Sequence, residues 1–80
     1  MVAMTRFYFH LRDHDSFEMD HEGQEFHCVE DARKEAEAAA REMVAEAVLT
    51  NSLIDGKAFE ITNENGAVVA VVFFKSVIPQ

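Results

Sequence analysis

The densest set of chemically versatile side chains in this sequence lies in its first third: His10, Asp13, His14, Asp15, Asp20, His21, Glu22, Glu25, His27 and Cys28. Imidazoles and carboxylates together could hold zinc, nickel or copper, and His10, His14 and His21 are the candidate ligands. Their spacing argues against a metal site. His10 and His14 are four apart, which unites side chains on a helix, but this segment reads as a strand and a turn. A calcium loop starting at Asp13 would put Glu18 where glycine belongs and Gln24 where the bidentate glutamate belongs. No metal and no cofactor is therefore expected.

Nucleophilic chemistry finds no better footing. Cys28 falls at the expected start of a helix, where a thiol can become more acidic. Glu25, Glu30 and Asp31 oppose a thiolate there, and no base or oxyanion site accompanies it. There is no phosphate-binding glycine motif. No catalytic residue is assigned, and a non-enzymatic role is expected.

Charge narrows the classes further. The chain of 80 residues has a formal net charge of −8. Residues 13–31 carry eight carboxylates and no Lys or Arg. Nucleic-acid binding draws affinity from cations that neutralise phosphates, so it is not expected here. An acidic segment suits solubility, or a basic protein partner.

These residues must be positioned by a few short elements. Thr5–Arg12 alternates Phe7, Phe9 and Leu11 with Arg6, Tyr8, His10 and Arg12, which is the period of a strand. Ser16–Met19 and Gln24–Phe26 read as short strands around Asp20–Gly23. Val29, Ala32, Ala36, Ala40, Met43 and Ala47 recur every three or four residues, which predicts a helix from Val29 to about Thr50. Glu30–Lys34 and Glu37–Arg41 are its expected ion pairs. Asn65-Gly66 between two alternating runs predicts a hairpin, Lys57–Glu64 with Ala67–Lys75, closed by a two-residue type I′ turn.

That turn sets the register. Phe59, Ile61, Val68, Ala70, Val72 and Phe74 should share the face beneath the helix. Ala58, Glu60, Thr62, Val69, Val71 and Phe73 should share the other face, with Tyr8 and His10 of the first strand. One helix covers one face only. Tyr8, His10, Val69, Val71 and Phe73 are thus the expected interface, since an apolar patch left uncovered often marks one.

The expected fold is α+β: a small antiparallel or mixed sheet of three to five short strands with one long helix on one face. Residues 1–4 read as a disordered N-terminus and 5–78 as a single domain. No apolar run is long enough to span a membrane. With no secretory signal pattern either, a cytoplasmic protein is expected.

Four segments occur in order: RFYFHLRD, DHEGQEF, EDARKEAEAAAREM and FEITNENGAVVAVVFF. In combination they resemble an uncharacterised family of short alphaproteobacterial proteins of the rhizobial type, a domain of unknown function. Asp20, Gly23 and Glu25 match that family's Asp-x-x-Gly-x-Glu motif. His10 stands where its members often have Asp, and His14 where Gly is common. The resemblance implies the α+β fold and no assigned activity. A looser likeness of architecture links the chain to HicB-type antitoxins. The function these observations favour is a small protein-interaction module, a homodimer. An acidic, antitoxin-like module masking a basic toxin or nuclease is the alternative. A metal- or small-ligand-binding protein using the His-rich first segment is the third reading.

Overall fold

The computed structural model describes residues 3–51 and 54–78. One long helix, α1 (Val29–Thr50), packs against a five-stranded antiparallel sheet. The strands are β1 (Thr5–Arg12), β2 (Phe17–Glu18), β3 (Gln24–Phe26), β4 (Ala58–Thr62) and β5 (Val68–Phe73), followed by a 3-10 turn, Phe74–Val77. The main path across the sheet is β2-β1-β4-β5, and β3 also pairs with β1. Both short strands lie on the same edge of β1: β3 beside Thr5–Phe7 and β2 beside Leu11–Arg12. Residues 17–26 thus form one return strand, interrupted in the middle. Of the expected N-terminal tail, Ala3 and Met4 are exposed, and residues 1 and 2 lie outside the described residues.

The α1 bounds follow the apolar stripe. Ala32, Ala36 and Ala40 are buried, and Val29, Ala39, Met43 and Val44 pack at the margin. Alanine lets the helix approach the sheet closely, so the volume of the core comes from the strands. Phe7, Phe59, Ile61, Val72 and Phe74 fill it, and Phe9 and Leu11 pack beside them. Asn51 ends the helix in the left-handed conformation, its N–H donating to the carbonyls of Ala47 and Val48. The ion pairs differ from expectation. Arg33, not Lys34 or Arg41, bridges Glu30 at 2.5 Å and Glu37 at 3.3 Å. A guanidinium midway between two carboxylates reaches one a turn before it and one a turn after. Among the described residues, no helix is long and apolar enough to cross a membrane.

The hairpin tip corrects the sequence reading. The loop has three residues, not two. Asn63 N–H donates to Ala67 C=O, Gly66 N–H donates to Asn63 C=O, and only Gly66 has a positive φ, +83°. This is a type I turn ending in a left-handed glycine. Asn63 Oδ1 decides the choice by accepting the N–H groups of Asn65 and Ala67. The extra loop residue shifts the register by one, so Thr62 faces Val68. A bulge at Val69 shifts it back, and Ile61 faces Ala70 as expected. The consequence falls on Val68. It leaves the core face for the side of Thr62 and is 54% exposed. β5 also ends sooner than expected, since Phe74 begins the 3-10 turn while still entering the core.

Candidate functional site

The interruption between β2 and β3 leaves the middle of β1 without a backbone neighbour on that edge. Asp20 fills the gap. Its Oδ2 accepts the Phe9 N–H at 3.0 Å. Its Oδ1 accepts the N–H groups of Glu22 and Gly23, both at 3.1 Å. Gly23 sits at φ +69°, and a Cβ there would collide with Arg6, Tyr8 and the Phe7 carbonyl. Asp20 and Gly23 of the Asp-x-x-Gly spacing therefore form a side-chain-capped turn that stands in for a strand.

His10 completes the clamp from the uncovered face of the sheet. The Asp20 backbone N–H donates to His10 Nδ1 at 3.0 Å. Nδ1 is then the acceptor, so the ring proton sits on Nε2 and is donated to Thr62 Oγ1 at 3.1 Å. Both ring nitrogens are committed, and the residue is 8% exposed. Tyr8 stacks parallel to it on one side and Phe17 tilts against it on the other. Arg12 lies over Phe17 and pairs with Glu60. Burial raises the Asp20 carboxyl, but the backbone N–H groups of Phe9, Gly23 and Glu22 outweigh it. The net displacement is below the ordinary aspartate value.

Beside this clamp runs an apolar surface. Val68, Val69, Val71 and Phe73 of β5 are exposed on the face away from α1, Val71 at 42% and Phe73 at 55%. Tyr8 is half-buried at the other end of that face. A shallow depression of about 270 Å³ lies near the hairpin tip, with His10 and Thr62 in its floor and Tyr8, Met19, His21 and Glu64 around it. Of the expected interface residues, Tyr8, Val69, Val71 and Phe73 are accessible. His10 supports the surface from beneath.

The three candidate metal ligands separate into two places. His10 and His21 border that depression, whereas His14 lies against Gly56 beside Asp13, Asp15 and Asp55. Among the described residues, no group of three or more His, Cys, Asp or Glu is arranged to hold a metal ion. Cys28 is the N-cap of α1 and is exposed. The acidic run is partly neutralised from outside itself. Arg6 approaches Glu25 at 4.0 Å, Lys57 approaches Asp13 at 3.9 Å, and Arg33 holds Glu30. Sequence reasoning missed the role of Asp20, although the glycine three residues later was a usable signal for an aspartate-capped turn.

The family model described as "Domain of unknown function (DUF6894)" matches residues 6–75. No curated protein and no solved structure matches the chain.

Proposed function

The chain belongs to the DUF6894 family of domains of unknown function, and from that premise we propose a non-enzymatic protein-interaction module that forms a homodimer. The observation that carries this reading is the uninterrupted exposure of Val68, Val69, Val71 and Phe73 on one face of β5. Apolar surface rimmed by polar groups is stabilised by association. At roughly 25 cal/mol per Å², a few hundred Å² removed from water offsets much of the entropy lost on pairing. His10 supports the non-enzymatic half of the reading, because both its nitrogens are spent on structure. Light scattering at micromolar concentration should give twice the 9.0 kDa chain mass. Phe73→Glu should return it to the chain mass with the fold intact. A parent protein that stays monomeric into the millimolar range would overturn the reading.

One observation supports a second reading. Asp15, Glu18, Glu22 and Asp31 are exposed and make no ion pair among the described residues. A basic protein partner would meet them there, with an association rate that falls as salt rises. Glu18→Gln with Glu22→Gln should weaken such a complex and leave the homodimer unchanged.

A further inference from the structure

We propose that two copies join edge to edge, β5 against β5 in antiparallel register about a two-fold axis at Val71, to make one continuous sheet. This rests on the self-association reading and names its geometry. The backbone identifies the free edge. Phe74 N–H donates to Lys57 C=O at 3.0 Å, and in an antiparallel ladder alternate residues address the same neighbour. Phe74, Val72 and Ala70 therefore turn their backbone groups toward β4. Val71 and Phe73 turn theirs outward, where no described strand pairs with them, whereas at Val69 the bulge breaks the alternation. Ser76 Oγ donates to the Phe73 carbonyl at 2.7 Å, which leaves the N–H and C=O of Val71 and the N–H of Phe73 facing outward.

The sequence of β5, VVAVVF, has no charge and no proline. Those are the usual devices that keep an edge from pairing. Its bulge lies at Val69, next to the hairpin tip, so Ala70–Phe73 remains regular. A two-fold at Val71 sets Val71 against Val71 and Val69 against Phe73 of the second copy. Such β-branched and aromatic cross-strand pairs are favourable. The exposed side chains of both copies would merge into one apolar band on the face away from the helices.

Charge selects a second copy along this edge. Each chain carries −8, most of it near β2 and β3. The strand order puts β2 at the opposite edge from β5. In the paired sheet the two β2 strands are seven intervals of about 4.8 Å apart, roughly 34 Å. That is several Debye lengths at physiological salt, about 8 Å each. Pairing through β2 or β3 would instead bring the two acidic segments together.

The test is backbone hydrogen exchange of the full chain by NMR at two concentrations, with Val71→Pro as the variant. Slowing of the Val71 and Phe73 amides on the order of tenfold at high concentration supports edge pairing. Val71→Pro removes an outward N–H without touching the β4 ladder, so it should be monomeric and folded. A dimer whose Val71 and Phe73 amides exchange freely would overturn edge pairing and leave self-association standing through the exposed face. A Val71→Pro protein that remains dimeric would do the same. If that variant fails to fold, the exchange pattern of the parent still decides. A parent monomeric throughout would overturn both proposals.

Discussion

Along one edge of this sheet, β1 meets a return strand broken at residues 19–23, crowded with carboxylates, and closed in the middle by the side chain of Asp20. Along the other, β5 is six residues of uncharged, apolar chain whose outward backbone groups meet no neighbouring strand among the described residues. Open edges promote association, and proteins blunt them with charge, turns and irregularity. Here the blunting is concentrated on one side. The difference teaches that the acidic segment is better understood as edge protection than as a ligand site. Its aspartate acts on the protein's own backbone.

The largest test of that contrast is to remove the device that closes the β1 edge. Asp20→Ala strips the acceptor from three backbone donors and should cost about 3 kcal/mol, read as a lower urea midpoint. A loss under about 1 kcal/mol would mean that water replaces the carboxylate and the edge is not closed by it.

A smaller effect is expected at the hairpin that begins β5. Gly66→Val should destabilise by more than about 1 kcal/mol. A Cβ at Gly66 meets nothing within 4 Å, so the whole cost is backbone strain at φ +83°. Gly66→Asn should recover much of it, since asparagine tolerates that region. Equal midpoints for parent and Gly66→Val would show that the tip relaxes in solution.

The contrast is sharpened by blunting the open edge artificially. Val71→Lys should abolish the proposed dimer and change monomer stability by less than about 0.5 kcal/mol, as surface substitutions do. A dimer that survives it, judged by light scattering, would make the two edges alike in behaviour.

Acid should act on the closed edge. The Asp20 carboxyl is held below its ordinary value in the folded state. The stability it supplies is therefore complete above the ordinary aspartate pKa of about 3.9 and is lost as pH falls through the lower folded value. Asp20→Asn should flatten that part of the acid-unfolding curve. An unchanged slope below about pH 4 would assign the acid sensitivity to other carboxylates.

Salt gives the smallest effect. Because Arg6, Lys57 and Arg33 already meet three of the eight carboxylates, raising sodium chloride from about 0.01 to 0.1 M should lift the melting temperature only slightly. Asp15→Asn with Glu18→Gln should remove most of that rise.

The elements with a period were the legible ones. Phe7, Phe9 and Leu11 alternate, and the alanines of α1 recur every three or four residues, so β1 and α1 have the bounds their patterns imply. What escaped depends on single side chains acting on backbone. Asp20 replaces a strand without leaving any periodic trace. The place of His10 depends on Thr62, 52 residues away, and no local pattern encodes such a pairing. At the hairpin, Asn65-Gly66 marked the position of the turn. The competing acceptor on Asn63 chose its type, and Val68 changed sides as a result.

The loop and the bulge also constrain how this chain can change length. One residue is added at the tip, between Asn63 and Ala67, and one is taken up at Val69. The two act as a matched insertion and compensation, like paired frameshifts in a reading frame. Straightening the bulge without removing a residue would put every later β5 side chain out of phase. Val72 would turn to solvent and Val71 would turn beneath the helix. Deleting Val69 outright would leave Thr62 opposite Val68 and Ile61 opposite Ala70, so Val72 and Phe74 would stay inside; the bulge is the place where the hairpin carries one surplus residue without turning its core face.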